Sequence, residues 1–373
     1  SDRGLQKIHS VVFDPKDPHL KLQAGTTNGK VYGMQGVSGM ARDADAPGNR
    51  VIAATNADFY DLSTGIPSGI VIKDNGTIMN TPAGGQRAFG VKSDGSAIIG
   101  QPRVSVQMSA SGRTTTIHHI NRARGDNQLI LYTPDFYSST KTSTQGDEVV
   151  LEVLGGELKS GSALQLRVLE TRIGQGDTPL VEGQAVLSAS GTARAALQGL
   201  AAGDEVEIHV TVEGEWHDVV MAVGGNQLLV QNGNVVPQSD PAFHPRTAVG
   251  VKADGSVILL TVDGRSPGFS EGVTLQELGQ IMKDMGAVDA LNLDGGGSTT
   301  FIARLPGDTD RTLLNKPSDG GERSTSNGIL LVNTAPEGEA HHLVVRPNFE
   351  RVLAGSSVTF EAKAVDEYGH PAA

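Results

Sequence analysis

A pattern of paired hairpin turns occurs twice in this sequence and restricts the fold more than any other feature. Each copy has an Asn-Gly turn between two apolar runs, followed by a second pair of runs around an Asp-Gly turn. These dipeptides favour the positive φ that two-residue hairpin turns require. The repetition predicts two related β-modules in one sheet system, and coincidence of common motifs is the alternative. The turns are Asn75-Gly76 and Asp94-Gly95 within residues 70–99, and Asn232-Gly233 and Asp254-Gly255 within residues 228–260.

Short strand-like runs fill most of the remaining sequence, and only one helix is evident. Glu205–Val212 alternates polar with apolar residues, as a half-exposed antiparallel strand does. Thr274–Met285 has an apolar stripe, a capping box formed by Thr274 and Glu277, and Gly286 as its stop signal. We therefore predict an α+β fold, a β-rich mixed sheet built from two related β-modules with few helices.

The domain organisation follows from a change of character near Asn333. Residues 1–335 are expected to form one main domain, with a β-rich insertion near 145–220. Residues 336–373 are expected to form a linker and the start of a truncated immunoglobulin-like domain, because AGSSVTFEAKAVDEYGHP resembles bacterial surface modules of that type. About 35 residues are too few for a complete sandwich of about 100.

Charge and composition exclude several classes of function. The net charge is −12 and no basic block is present, so nucleic acid is not an expected partner. The chain has no cysteine, which excludes disulfides, thiolate metal sites and cysteine nucleophiles. No apolar run approaches the roughly 20 residues of a membrane span. The sequence begins at Ser1, and a signal peptide is expected to lie outside it.

The strongest chemical motif is a triple glycine that follows an apolar strand, in Asn292-Leu293-Asp294-Gly295-Gly296-Gly297-Ser298-Thr299. Consecutive glycines allow close approach to a ligand and can point N–H groups inward. With Asp294 beside it and hydroxyls after it, the turn is a candidate phosphate cradle. A flexible turn capped by Asp294 is the alternative interpretation.

A second apolar strand ends in the same way, at Asn56-Ala57-Asp58. Alternation along a strand places Asn56 and Asp58 on one face, and Asn292 and Asp294 on one face of the other strand. A carboxylate at the end of a buried strand is costly unless it has a partner. We therefore expect both Asn-x-Asp strand ends to contribute to the site.

Three further segments supply candidate binding groups. Arg246 begins a strand and suits bidentate contact with phosphate, unless it is a surface arginine at a strand edge. Asp263 could orient Arg246 or Arg265, act as a catalytic carboxylate, or form an ordinary Asp-Gly turn. The loop before residue 328 offers Ser326 and Asn327 for sugar hydroxyls, with capping as the alternative. The predicted binding residues are Asn56, Arg246, Arg265, Asn292, Gly295, Gly296, Gly297, Ser298, Thr299, Arg323, Ser326 and Asn327.

Taken in order, NADFYDLSTGIPSG, HPRTAVG, VDGR, ALNLDGGGSTT and RSTSNGI resemble the phosphodiester glycosidase family across residues 50–333. The resemblance implies a secreted or cell-surface hydrolase that removes a sugar from a sugar-phosphate diester and leaves a phosphomonoester. The sugar could be N-acetylglucosamine. The implied partner is a glycosyl phosphodiester or a phosphate-containing cell-surface glycan.

The residues also suggest a mechanism. Asp294 is the first candidate for activating water or stabilising an oxocarbenium-like transition state, with Asp58 and Asp263 as the other catalytic candidates. Arg246 and the glycine turn would hold the anion. The sequence identifies no definite cofactor, and a divalent cation stays an open alternative because Asp58 and Asp294 are hard oxygen ligands that suit Ca²⁺ or Mg²⁺.

Two other functions compete with this hypothesis. A metal-assisted phosphodiesterase that breaks the P–O bond could use the same residues. A non-catalytic glycan-binding surface module would need aromatic platforms, and aromatic residues make up only 4% of the chain, with one tryptophan. No G-x-S-x-G elbow and no histidine pair with zinc-ligand spacing is present.

Overall fold

The computed structural model of the protein describes residues 4–347 and 355–372. Strands dominate these residues, which confirms the predicted β-rich α+β class with few helices. The first elements are β1 (Ile8–Phe13), β2 (Leu20–Thr26), α1 (Val37–Ala44), β3 (Arg50–Asn56), β4 (Val71–Ile72), β5 (Ile78–Asn80), β6 (Arg87–Lys92), β7 (Ala97–Gly100), β8 (Val104–Ala110), β9 (Arg113–Thr116), β10 (His119–Ile120), β11 (Leu129–Tyr132) and β12 (Asp147–Gly156).

The chain continues with β13 (Ala163–Ile173), β14 (Gln184–Ala189), β15 (Glu205–Val212), β16 (Val219–Gly225), β17 (Leu228–Gln231), β18 (Asn234–Val235), β19 (Arg246–Lys252), β20 (Val257–Val262), α2 (Leu275–Asp284), β21 (Ala287–Leu293), β22 (Phe301–Ala303), β23 (Thr312–Leu313), β24 (Asn327–Asn333), β25 (His342–Arg346) and β26 (Glu361–Val365). Short 3₁₀ helices cover Gly191–Ala196, Gly214–Trp216 and Gly296–Ser298. In the described ranges, no helix is long and apolar enough to cross a membrane.

The two predicted modules are related in the structure. One sheet has the order β5-β4-β16-β6-β7, and a second has β18-β17-β21-β19-β20-β1. Both therefore place a hairpin on each side of a central strand, β16 or β21. The expectation of one sheet system is corrected, because the modules form two sheets whose apolar faces share one core that includes Phe89, Val223, Val249 and Leu291.

The hairpin turns differ in their backbone geometry. At Asn232-Gly233 both residues have positive φ, as a two-residue turn requires. In the other three turns only the glycine is positive, and its N–H bonds back to the residue three positions earlier. A tight turn followed by a single left-handed residue explains this geometry, so the predicted two-residue turn is wrong at those three places.

The structure confirms helix α2 and the start and stop signals that predicted it. Thr274 is the N-cap, and its side chain and that of Glu277 form the capping box. Gly286 follows the helix with φ +93°. The sequence did not reveal α1, which has Gly36 at its N-cap with no side-chain cap and a glycine inside it. Packing of Val37 and Ala41 into a small apolar cluster accounts for its formation.

A third sheet, β2-β24-β3-β22-β23, brings the two Asn-x-Asp strand ends together. The Asp294 N–H donates to the Ala57 carbonyl at 2.7 Å. The Asn56 side-chain amide donates to the Asp294 carbonyl at 2.6 Å, while its oxygen accepts from the Thr247 hydroxyl. The ends of β3 and β21 are therefore bonded to each other across two sheets.

The β-rich stretch predicted near 145–220 belongs to an eight-stranded sheet, β10-β11-β14-β12-β13-β15-β8-β9. This sheet already begins at Val104. Its strand β15 alternates buried and exposed residues, as predicted for Glu205–Val212. Its role as an insertion stays a prediction.

The C-terminal segment 336–373 contains the antiparallel hairpin β25-β26. Arg346 and Lys363 both bind the carboxylate of Asp308, which ties the hairpin to the main body. Residues 348–354 and 373 of this segment lie outside the described residues. The immunoglobulin-like identity of the segment stays a prediction.

Candidate functional site

Strand β21 runs directly into the glycine turn, and two arginine side chains lie against that turn. A Cβ atom on Gly296 would lie 3.0 Å from Arg265 Nη2. A Cβ atom on Gly297 would collide with the Arg323 guanidinium and the Asp319 carboxylate. Gly296 also has φ +62°. The glycines therefore leave room for two guanidinium groups at the backbone.

The predicted cradle of N–H groups is largely absent, because most of these donors already have acceptors within the protein. The Gly295 N–H donates to Asp294 Oδ1 at 3.0 Å, and the Gly296 N–H to the Pro245 carbonyl at 2.9 Å. The N–H groups of Ser298 and Thr299 close the 3₁₀ turn on Gly295 and Gly296. The positive charge at the turn therefore comes mainly from arginine side chains.

A cavity of about 270 Å³ opens beside the turn. It combines three arginines with one carboxylate, although the chain as a whole is acidic. Eight of its ten lining residues were predicted from the sequence, and Phe59 and His244 were not. The lining consists of Phe59, His244, Arg246, Arg265, Asn292, Asp294, Gly295, Gly296, Gly297 and Arg323.

Each arginine is held in its own way. Arg246 is only 8% exposed and donates to the carbonyls of Val273 and Ala242 at 3.1 and 2.9 Å. Arg323 donates from Nε to the Asp319 carboxylate at 2.8 Å. The Nε and Nη2 atoms of Arg265 lie 3.4 and 3.3 Å from His244 Nδ1. The three guanidinium groups reach the cavity from three separate segments.

The two strand-end carboxylates have perturbed pKa values. Burial raises the pKa of Asp294, while the Gly295 N–H and the Arg323 charge oppose that rise. Burial also raises the pKa of Asp58, to about 7, and the charge of Asp294 adds to this effect. A buried carboxyl group with a pKa of about 7, such as that of Asp58, can exchange a proton at neutral pH.

Asp58 lies beneath the cavity and does not line it. Its Oδ2 accepts from the Gly69 N–H at 2.6 Å, and its own N–H donates to Asn327 Oδ1 at 2.9 Å. A Cβ atom on Gly224 would collide with this carboxylate. Gly224 on β16 and Gly69, which lies just before β4, thus make space for a carboxylate that is 1% exposed.

Several buried polar atoms around this carboxylate pair have no hydrogen-bond partner in the described part of the chain. Burying such an atom costs about 1–3 kcal/mol, so native proteins usually satisfy it with water or a ligand. Five of them belong to the two strand ends, to Thr299 after the glycine turn, and to the two residues where β24 begins. The atoms are Asp58 Oδ1, Asn292 Oδ1, Thr299 Oγ1, Ser326 Oγ and Asn327 Nδ2.

Asp263 does not join this group. Its Oδ1 accepts from the Lys316 N–H at 3.0 Å, and its Oδ2 lies 3.4 Å from His9 Nε2. The expectation that it orients Arg246 or Arg265 is therefore wrong. Strand β20 ends one residue earlier and directs this carboxylate toward β1.

Sequence reasoning also missed Arg122, whose charge lowers the pKa of Asp58. Its Nη1 donates to the carbonyls of Pro67 and Thr81 at 2.8 and 3.1 Å. The segment INRARGDNQLILYTP around Arg122 resembles strands of the phosphodiester glycosidase family, but nothing in it marks Arg122 as a site residue. Only the folded arrangement reveals its proximity to Asp58.

The residues do not suit a divalent cation held by carboxylates. Ca²⁺ and Mg²⁺ prefer about six or more oxygen ligands, usually with several acidic groups. Among residues 4–347 and 355–372, no three acidic or histidine side chains are grouped to hold a metal ion. Asp294 also shares its cavity with three arginines. We therefore assign no catalytic step to a metal.

A family comparison covers nine of the ten residues that line this cavity. Residues 160–332 match the family model described as phosphodiester glycosidase. That range includes the glycine turn and all three cavity arginines. The matched range is slightly less than half of the chain, and over that range the chain is similar to this family. The resemblance predicted from the ordered motifs is thus confirmed, and the strand end with Asn56 and Asp58 joins the domain from outside the matched range.

Curated relatives match over short stretches. The mouse N-acetylglucosamine-1-phosphodiester alpha-N-acetylglucosaminidase is 30% identical over 118 residues, which are 27% of this chain and 21% of the relative. The bovine enzyme of the same name is 40% identical over 74 residues, 20% of this chain and 12% of the relative. A prophage-derived uncharacterized protein of Bacillus subtilis is 37% identical over 88 residues, 24% of this chain and 13% of the relative. The matches thus span about a fifth or less of each relative.

Solved structures resemble this chain over most of its length. A hypothetical protein from Synechocystis has a TM-score of 0.70 at 22% identity, covering 88% of this chain and 59% of that one. A candidate exported protein of Burkholderia pseudomallei has a TM-score of 0.69 at 19% identity, covering 87% and 73%. These likenesses establish the fold alone.

Proposed function

We propose that the protein is a hydrolase that removes a sugar from a glycosyl phosphodiester and leaves a phosphomonoester. The observation that carries this proposal is the cavity that combines Arg246, Arg265 and Arg323 with Asp294. Guanidinium groups bind phosphate oxygens through paired hydrogen bonds. A carboxylate beside such an anion site is suitably placed to act on the sugar to which the phosphate is joined.

The three arginines would bind the phosphodiester and stabilise the charge that develops when the glycosidic bond breaks. Preorganised charge of this kind is effective because the donors need little rearrangement during the reaction. The bond between the anomeric carbon and the phosphodiester oxygen breaks, and its electron pair stays on the departing phosphate. A phosphate is a good leaving group, so the departure needs less protonation than that of an alcohol.

Asp294 would accept a proton from water or stabilise the positive charge that forms on the sugar ring. In the overall reaction the water oxygen bonds to the anomeric carbon, and the released proton balances the new phosphomonoester. Asp58, with a pKa of about 7, would exchange a proton at neutral pH and would keep a second negative charge from forming permanently beside Asp294.

N-acetylglucosamine is the first sugar to test, because the mouse and bovine relatives are named for that sugar. A secreted or cell-surface location is part of the proposal and is supported by the likeness to a candidate exported protein. At that location, phosphate-containing cell-surface glycans would be available as substrates.

The decisive experiment uses ¹⁸O-labelled water and an α-N-acetylglucosaminyl phosphodiester, with products analysed by mass spectrometry. Label in the free sugar and an unlabelled phosphomonoester are expected. Label in the phosphate would instead identify cleavage of the P–O bond and a phosphodiesterase. The Asp294→Asn variant is the control, since it keeps a similar shape and removes the proton acceptor. Equal turnover by this variant would contradict the role of Asp294.

A further inference from the structure

Arg265 depends on a different kind of acceptor from the other cavity arginines. Arg246 donates to backbone carbonyls, and Arg323 donates to the carboxylate of Asp319. Carbonyls do not titrate, and carboxylates remain acceptors across ordinary pH. The guanidinium of Arg265 instead lies 3.3–3.4 Å from the imidazole Nδ1 of His244. Imidazole titrates near neutral pH and can lose its capacity to accept.

The direction of this contact follows from the chemistry of the two groups. A guanidinium has five N–H donors and no acceptor. His244 Nδ1 must therefore carry a free lone pair, and the proton of the neutral ring must lie on Nε2. Protonation of the ring would turn Nδ1 into a donor and place two cations against each other.

The position of His244 is set by its backbone. Its N–H donates to the Val273 carbonyl at 3.3 Å, and its carbonyl accepts from the Val273 N–H at 3.1 Å. A Cβ atom on Gly272 would collide with the His244 backbone, so the two segments pack closely. The backbone hydrogen bonds between His244 and Val273 thus fix the position of the imidazole at the cavity. The Arg265 side chain, by contrast, is exposed.

We propose that His244 is a positioning residue that holds Arg265 against the glycine turn only while its imidazole is neutral. Binding of an anionic diester would then weaken as the pH falls. This inference rests on the proposed function for the identity of the substrate. It adds a proton-dependent control of one of the three cationic groups.

The charges around His244 favour the neutral ring. Burial lowers its pKa below the ordinary value of 6.5, and the nearby charges of Arg265 and Arg246 lower it further, while Asp240 acts in the opposite direction. Asp294 and Arg323 line the same cavity. At neutral pH the imidazole is therefore an acceptor, and its protonation requires a pH below the ordinary histidine value.

Dimethyl phosphate is a suitable probe, because this phosphodiester keeps one negative charge throughout the relevant pH range. Its affinity would be measured by calorimetry above and well below the ordinary histidine pKa of about 6.5. For the wild-type protein we expect about a tenfold loss of affinity at the lower pH, which corresponds to one charge-assisted hydrogen bond. In turnover assays KM should rise by more than kcat falls.

Two variants separate positioning from general damage. His244→Asn is the conservative variant, because its amide oxygen can accept from Arg265 at any pH, so it should lose the pH dependence of affinity. His244→Phe offers no acceptor and should bind weakly at both pH values, with its fold checked by thermal denaturation. In an Arg265→Ala background, His244→Phe should have no further effect on affinity.

The outcomes distinguish this inference from the proposed function. If His244→Asn keeps the wild-type pH dependence, or if acid strengthens wild-type binding, the positioning role is overturned even when turnover is normal. If binding follows the expected pattern but no glycosidic bond is cleaved, the proposed function fails and the titrating anion site stands. Absence of both binding and turnover in the wild-type protein would reject both.

Discussion

Replacing Asp58 with asparagine should stabilise the protein at alkaline pH and reduce its activity. The pKa of Asp58 is about 7, against an ordinary value of 3.8. Folding therefore favours the protonated carboxyl. Each unit of difference between the folded-state and unfolded-state pKa changes the free energy of unfolding by about 1.4 kcal/mol. The ionised carboxylate then costs the folded state about 4 kcal/mol.

The sign of the pH dependence follows from that difference. Below about pH 4 the carboxyl is protonated in both the folded and the unfolded protein, and no cost arises. As the pH rises toward 7, only the unfolded state releases the proton, so the wild-type protein loses stability. Asparagine cannot ionise and keeps an oxygen for the Gly69 N–H. The advantage of Asp58→Asn should therefore grow with pH and level off above about pH 7.

The assay is chemical denaturation of wild-type and variant proteins at about pH 5 and about pH 8.5. Asp61→Asn is a matched control, because hydrogen bonds from Ser63 and Thr64 lower the pKa of the exposed Asp61. Its stability difference from the wild-type protein should not grow between these pH values. An equal difference for Asp58→Asn at both pH values would refute the reasoning. The kcat of Asp58→Asn should fall, since asparagine cannot exchange a proton.

Four other predictions test the cavity. Arg323→Ala should lower kcat/KM by roughly 10- to 100-fold through the loss of a charge-assisted contact, without unfolding, because this side chain is 39% exposed. Arg246→Ala should lower both activity and melting temperature, since it also removes the hydrogen bonds that this buried side chain donates to the Val273 and Ala242 carbonyls; equal melting temperatures for the two variants would contradict this distinction. Gly297→Ala should displace the Arg323 guanidinium and weaken dimethyl phosphate binding in calorimetry, whereas Gly321→Ala, which has open space around it, should bind like the wild-type protein. Asp294→Asn should lower kcat by about 10²–10⁴-fold in turnover assays while dimethyl phosphate still binds, and a small change in kcat would remove Asp294 from the chemistry.

Short sequence motifs predicted the helix and the hairpins, because these elements form through residues that are close together in the chain. The capping box and stop glycine of α2 lie within a few positions of each other, and the structure reproduces them. The repeated hairpins were equally visible, because turn residues and apolar alternation act over short distances. The sequence alone did not show that β16 and β21 each fill the space between two hairpins. That pairing depends on long-range contacts that leave no local pattern.

By itself, the sequence determined the β-rich fold, the glycine turn and most of the residues that line the cavity, because composition, spacing and ordered motifs carry that information. Tertiary structure alone decided how these residues act. It placed Arg265 beside His244, directed Asp263 away from the arginines, and brought Arg122 and Asp294 near Asp58. Segments that are distant in the chain together bury Asp58 and surround it with charge. The raised pKa of Asp58 and the hydrogen bonds that hold each arginine therefore exist only in the folded protein.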